Sequence, residues 1–313
     1  NHIRQDFNTI MLPFKYDREA KCLRWLRFLN EIGLDNKTQN SLMQWFGYCL
    51  IPTAKIQKCL YLLGEGANGK SIILLTLRNL LGDQNCSALE MAELFDRFKV
   101  ARLRNRLVNL GTDIETNNVL DARFKTLVSG EPQIAEMKHR DPFEIRPYAK
   151  LLFSANEFIP SRDRSYGFFR RFQIIRFVRI FKESEQDQDL EETLQHDLPG
   201  IFNWALLGLK KLIDNEWVIT ESEAMRNAFQ EFNEAVNPVY TWSEEKLSFN
   251  PELEIRADIL RSNYAEWCDE HGHRVLSSTQ LGKELKRLHP KIEKIRKRQK
   301  YDLVTYYSGV TIN

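Results

Sequence analysis

The first apolar residues of the chain recur with a helical period. Cys22, Trp25, Leu26 and Leu29 fall at i, i+3, i+4 and i+7, with Asp17 placed to cap the helix and Gly33 to end it. A second stripe of Leu42, Trp45, Phe46, Cys49 and Leu50 stops before Pro52, so residues 1–50 read as a small helical domain. The texture then changes. Cys59 to Leu63 is a short continuous apolar run, as a strand buried on both faces requires, and it meets a glycine-rich turn and a helical stretch over 70–81. Further apolar runs at 107–110, 150–155 and 172–177, with helical or loop segments between them, predict a parallel sheet flanked by helices over 51–182. Residues 183–248 are helical again. After Phe249-Asn250-Pro251 the pattern is helix (255–270), helix (278–288), basic run and aromatic-rich strand (302–310), which predicts a winged-helix DNA-binding domain over 249–313. The fold class is therefore α/β.

Composition bounds the function. With 313 residues, 42% apolar and 28% charged, the chain has an ordinary globular balance and room for about two domains and a smaller appendage. Its 45 basic and 43 acidic residues leave only +2, so contact with phosphates has to come from local clusters. Residues 283–300 are such a cluster, with nine Lys or Arg against two Glu. The five cysteines are widely spaced, without a C-x-x-C pair, and read as small buried apolar groups in a reducing, cytoplasmic compartment. No apolar run reaches the roughly 18 residues of a membrane span. The first residue is Asn, which suggests a piece of a longer polypeptide.

Gly64-Glu65-Gly66-Ala67-Asn68-Gly69-Lys70-Ser71 matches G-x-x-x-x-G-K-[ST] between an apolar strand and a helix. The glycines let the backbone turn its N–H groups toward a β-phosphate at the positive end of the following helix. Lys70 is placed for the β- and γ-phosphates and the Ser71 hydroxyl for Mg²⁺, so ATP with Mg²⁺ is the expected ligand. The companions select the kind of machine. Asn36-Lys37-Thr38-Gln39 fails the base-reading pattern of GTPases and precedes the P-loop. The run 107–110 leads to Asp113 and Glu115, acids placed to hold the metal and polarise a water. The run 150–155 ends at Asn156, an amide able to orient that water. In Gly167-Phe168-Phe169-Arg170-Arg171-Phe172, either arginine is a candidate finger for a γ-phosphate held by a neighbouring copy.

In this order the motifs resemble those of superfamily 3 helicases, above all the helicase half of phage and plasmid primase–helicases and of the poxvirus primase–helicase. Gly64, Gly69, Lys70 and Ser71 match the first motif, and Asp113 and Glu115 the second. Asn156 in FSANEFIP matches the third, and Arg170 and Arg171 in GFFRRFQIIRF match the finger region. FLNEIG and FGYCL look like the helical domain that precedes such motors. The resemblance implies an AAA+-type core, a homo-oligomeric ring (a hexamer) and 3′→5′ translocation on single-stranded and forked DNA. It also implies a primase-polymerase domain upstream in the same polypeptide. Alternation on both sides of Lys138-His139-Arg140-Asp141-Pro142 reads as a β-hairpin, and relatives use a hairpin here to touch DNA, which makes Lys138, His139 and Arg140 the matching positions. A second reading is an ATP-controlled origin-binding or DNA-remodelling switch without processive unwinding. A third, a small-molecule kinase, leaves the hairpin, the arginine pair and the basic run without roles.

Overall fold

The computed structural model describes residues 10–112, 122–158, 166–299 and 302–313. The chain divides into two compact units, one extending to Gln230 and the other Glu231–Asn313.

The first unit opens with helix α1 (Leu23–Glu31). Asp17 is not its cap, because that carboxylate accepts from the Glu19 N–H in the preceding turn. The cap comes from far along the chain. Asp197 Oδ2 accepts from the N–H groups of Arg24 at 3.0 Å and Trp25 at 3.2 Å, supplying the acceptor that a helix start lacks. Helix α2 (Asn36–Cys49) has a local cap, Asp35, and is buried at every position from Ser41 to Cys49.

The sheet elements follow: β1 (Cys59–Leu63), α3 (Lys70–Leu81), β2 (Cys86–Ser87), β3 (Val108–Gly111) and α4 (Ala122–Val128), then β4 (Gln133–Ala135), β5 (Phe143–Ile145) and β6 (Lys150–Ala155), then α5 (Tyr166–Phe169) and β7 (Phe172–Arg176). Helices α6 (Leu190–His196), α7 (Leu198–Asp214) and α8 (Glu223–Val236) come next. The five-stranded sheet has the order β2-β3-β6-β1-β7, and every pairing in it is parallel. All five residues of β1 are buried, as its position between β6 and β7 demands. The helices α1, α2, α3 and α7 share one core with the sheet, through Trp25, Trp45, Leu77, Leu152 and Ile201 among others. Glycines let α2 and α7 cross backbone to backbone. A Cβ at Gly47 would lie 2.4 Å from the Ala205 carbonyl oxygen, and one at Gly208 would lie 2.0 Å from that of Met43. That close approach accounts for glycine in two helix interiors, where it costs about 1 kcal/mol relative to alanine.

Because all five strands run the same way, the sheet has two chemically distinct edges. At the C-terminal edge β1 releases the chain into Gly64, β3 into Thr112 and β6 into Asn156. At the N-terminal edge Arg170 and Arg171 lead into β7, and the antiparallel β4–β5 hairpin leads through Arg146–Ala149 into β6.

The second unit contains α9 (Pro238–Lys246), β8 (Leu247–Arg256), α10 (Ala257–Glu270), α11 (Ser278–Leu288), β9 (Glu293–Gln299) and β10 (Asp302–Ile312). Its antiparallel sheet has the order β8-β10-β9, and its core includes Val239, Trp242, Tyr264, Trp267, Leu285, Tyr307 and Val310. The order along this unit is helix, strand, two helices and two strands, with the last strand between the other two. The segment Phe249-Asn250-Pro251 is not a break between domains. It lies inside β8, an edge strand whose pairing with β10 shifts register between Ser308 and Val310. Proline is tolerated at such an edge irregularity because no ladder hydrogen bond is asked of it there.

Four of the cysteines are buried and Cys86 is half-buried; burial pushes the Cys49 thiol up to about 12. Among the described residues, no helix is long and apolar enough to cross a membrane.

Candidate functional site

The loop Gly64–Gly69 joins β1 to α3 at the C-terminal edge of the sheet. Gly69 is the N-cap of α3 with φ +88°, a left-handed conformation that a side chain would strain, and its Cβ would meet Ile32 Cγ2 at 2.8 Å. The cap residue therefore offers no side-chain oxygen to the first turn of the helix. Those N–H groups, at the positive end of the helix dipole, face the cleft beside Ser71 and suit an anion. Lys70, although charged, is only 5% exposed. Its ammonium donates to the Gly64 and Glu65 carbonyls, to Asn68 Oδ1 at 3.1 Å and to Asn156 Oδ1 at 3.5 Å. Asn68 is itself buried and donates back to the Glu65 carbonyl, which stiffens the turn. The loop is anchored from outside by the Phe181 N–H, which donates to the Ala67 carbonyl at 2.8 Å.

Two sequence motifs about 86 positions apart thus meet at one ammonium, Lys70 with Asn156. Asp113 and Glu115 lie outside the described residues; β3 pairs with β6 and delivers the chain to the same edge at Thr112.

The far wall of this cleft, about 620 Å³, comes from residues with no motif. Arg24, Arg27, Phe28 and Glu31 project from α1, and Arg179, Phe181 and Asp187 from the segment after β7. Arg24 bridges Glu31 and Asp187, each at 3.0 Å, and Arg27 meets Glu31 at 2.8 Å. Arg179 lies 4.4 Å over the Phe181 ring and donates to the Glu31 carbonyl. Their sequence separation hides them, and an Arg-rich first helix is the one signal that points to them.

The N-terminal edge carries cations instead. The two adjacent arginines part company here. Arg171 is 7% exposed, with Nε donating to the Lys125 carbonyl at 3.2 Å, Nη2 to Ser129 Oγ at 2.9 Å and Nη1 to the Gly167 carbonyl. It ties α4 to the turn before β7. Arg170 is exposed and lines a groove with Lys58, Gln173, Glu221 and Arg226.

The β4–β5 hairpin holds Lys138, His139 and Arg140 exposed at its tip, with His139 in the left-handed turn conformation at φ +62°. It is stitched to a second basic segment. The Glu136 N–H donates to the Arg97 carbonyl at 2.9 Å, Arg97 pairs with Glu136 at 3.0 Å, and Arg104 sits 5.4 Å over Phe143. Phe98 in that segment is 42% exposed beside Arg97. An exposed aromatic among cations, Arg97-Phe98-Lys99, is a signal the motif reading passes over.

A profile described as a family of unknown function (DUF5906) matches residues 62–171, from the end of β1 to the arginine pair. A curated relative, "Putative helicase L207/L206" of Acanthamoeba polyphaga mimivirus, is 24% identical over 192 residues. That match covers 57% of this chain and 19% of the relative, so the chain spans about a fifth of its length. Among solved structures, the A form apo structure of the NrS-1 C-terminal region aligns with a TM-score of 0.59 at 16% identity, covering 95% of this chain and 79% of that one. A second apo structure of the same region aligns with a TM-score of 0.56 at 16% identity, covering 96% of this chain and 78% of that one. The α/β class expected from the hydrophobic pattern is the observed one, and the fold is shared with that region across nearly the whole chain.

Proposed function

We propose that this chain is the ATP-hydrolysing motor of a replicative DNA helicase, acting as a ring of identical copies. The observation that carries the reading is the meeting of Lys70 and Asn156 at the head of α3. The printed name of the viral relative and the fold likeness support it. In this account the N–H groups at the start of α3 and the Lys70 ammonium hold the β- and γ-phosphates of ATP. The donor set fits Mg²⁺, which keeps several waters and takes only one or two protein oxygens; Ser71 and Asp113 would hold it, and bound there it neutralises phosphate charge. Asn156 orients the attacking water and Glu115 accepts its proton. The wall of Arg24, Phe28, Arg179 and Phe181 receives the base and ribose.

Arg170 is the finger, and Arg171 is a structural brace. A five-residue strand at about 3.3 Å per residue separates Arg170 from its own P-loop by roughly 16 Å of sheet. It therefore serves the site of a neighbouring copy. Lys138, His139 and Arg140, with Arg97 and Phe98 behind them, contact single-stranded DNA in the ring channel. A hexamer, 3′→5′ movement and an upstream primase-polymerase complete the proposal.

A second reading, an ATP-controlled assembly switch at an origin, has the basic strand of the C-terminal unit in its favour. Steady-state ATPase with and without single-stranded DNA separates the two. The motor predicts severalfold stimulation that disappears in Lys70→Ala. Hydrolysis indifferent to DNA favours the switch.

A further inference from the structure

We propose that the C-terminal unit grips duplex DNA through one face of the β9–β10 hairpin, with Lys294, Arg296 and Arg298 on the phosphates, and not through the solvent face of α11. The inference deepens the nucleic-acid reading above in its choice of ligand, but the surface belongs to no part of the motor site.

Register places these cations. Lys294 stands opposite Tyr307, Arg296 opposite Thr305 and Arg298 opposite Leu303, so all three share the face of Tyr307. Tyr307 is 5% exposed and belongs to the helical core, so this is the helix side of the sheet. Toward the end of the hairpin the same face is open: Arg296 and Arg298 are exposed and Leu303 is 63% exposed. The opposite face is neutralised, since Lys297 pairs with Glu254 at 2.5 Å. A groove of about 610 Å³ at the foot of the cationic face adds Arg261, Ser262, Ser278 and Thr305. The one acid lining it among the described residues, Asp258, is held by Arg256 at 2.6 Å.

Helix α11 has spent two of its three cations. Lys286 Nζ donates to the Pro290 and Ile292 carbonyls at 2.8 Å each, and Arg287 pairs with Glu284 at 2.8 Å. Gln280 is bound into the capping box with Ser277. The helix keeps Lys283 and few groups able to read base edges.

Residues two apart on a strand are about 6.7 Å apart, so the three cations form an evenly spaced row along the hairpin. A row of cations held on a rigid hairpin suits the phosphates of a duplex backbone. Stacking of unpaired bases calls for exposed aromatics on the same face, and Leu303 and Thr305 stand there instead. Backbone contacts without base contacts predict binding that is tight at low salt and indifferent to sequence.

The test is fluorescence anisotropy of a labelled 30-base-pair duplex with the full chain in the Lys70→Ala background and no nucleotide, over a range of salt. This readout does not depend on hydrolysis, so the proposal and the motor reading fail separately. Arg296→Ala with Arg298→Ala is expected to weaken duplex binding at least tenfold at about 0.1 M salt. The slope of log K against log salt should shrink by about 1.8, two phosphates at roughly 0.9 each. Arg296→Lys with Arg298→Lys restores most of the binding, and Arg287→Ala changes it less than twofold. Unchanged affinity and slope in the double alanine variant, or failure of the lysine pair to restore binding, overturns the proposal. So does an equal loss of affinity for single-stranded DNA or for phosphatidylserine vesicles, which would make the face a general polyanion surface.

Discussion

At the C-terminal edge of the parallel sheet, polar groups turn toward one another: Lys70 is buried among carbonyls and two asparagines of its own chain. At the N-terminal edge the exposed polar side chains turn outward. Arg170, Lys138, His139 and Arg140 face solvent, while Arg171 and Lys150 at the same edge are buried and serve the fold. The contrast teaches how to separate side chains that look alike in sequence. At the N-terminal edge a cation enclosed by carbonyls holds the fold in place; a cation left exposed on a rigid element is available to something outside the chain.

One large expected effect breaks the comparison at its outward side. Arg170→Ala should lower the ATPase turnover number on the order of a thousandfold with nucleotide affinity nearly unchanged, as for a finger acting only in the transition state. Lys70→Ala should remove hydrolysis and also weaken ATP binding, which fluorescent-nucleotide titration reads. Neutralising the hairpin tip, Lys138→Ala with Arg140→Ala, should weaken single-stranded DNA binding about tenfold and shrink its salt slope by about 1.4. Basal hydrolysis measured without DNA checks that the site itself survives.

The two buried cations of the N-terminal edge, Arg171 and Lys150, predict stability, not activity. Arg171→Ala removes the hydrogen bonds to the Lys125 and Gly167 carbonyls and to Ser129 Oγ that tie α4 to the turn before β7, and should cost on the order of 3 kcal/mol in urea unfolding. Lys150, 3% exposed, has its ammonium 4.8 Å over the Tyr48 ring and bonded to the Ile51 carbonyl, and burial pushes it down to about 8. Below pH 8 it is charged in both states, and the cost of burying that charge is fully present. Between pH 8 and its ordinary 10.5 the unfolded chain binds the proton that the folded chain has released, so stability rises with pH. Relative to Lys150→Met, the parent should gain on the order of 2 kcal/mol between pH 7.5 and pH 10.

What the sequence made legible was local. The runs at Cys59–Leu63 and Lys150–Ala155 became strands with those bounds, and Lys70–Leu81 became a helix, because continuous burial and a glycine turn both write themselves into neighbouring residues. The hairpin over 133–145 was legible for the same reason. The cap from Asp197 was not, since it acts across 173 positions. Strand β8 was hidden because a proline reads as a break until its edge position is known. The wall built by Arg24, Arg179 and Asp187 depends on packing alone. Neighbouring arginines have one chemistry, and only burial assigns Arg171 to the fold and leaves Arg170 at the surface.

The central claim is that the inward edge of one copy and the outward edge of the next make one hydrolytic site. Mixing two inactive variants tests it most directly. Lys70→Ala lacks the P-loop cation and Arg170→Ala lacks the finger, so neither should hydrolyse ATP alone. Allowed to exchange subunits in equal amounts, they form about a quarter of their interfaces with both residues intact, and ATPase should return to a corresponding fraction of the parent rate. No recovery from subunits shown to have mixed, or full hydrolysis by Arg170→Ala alone, would contradict the account.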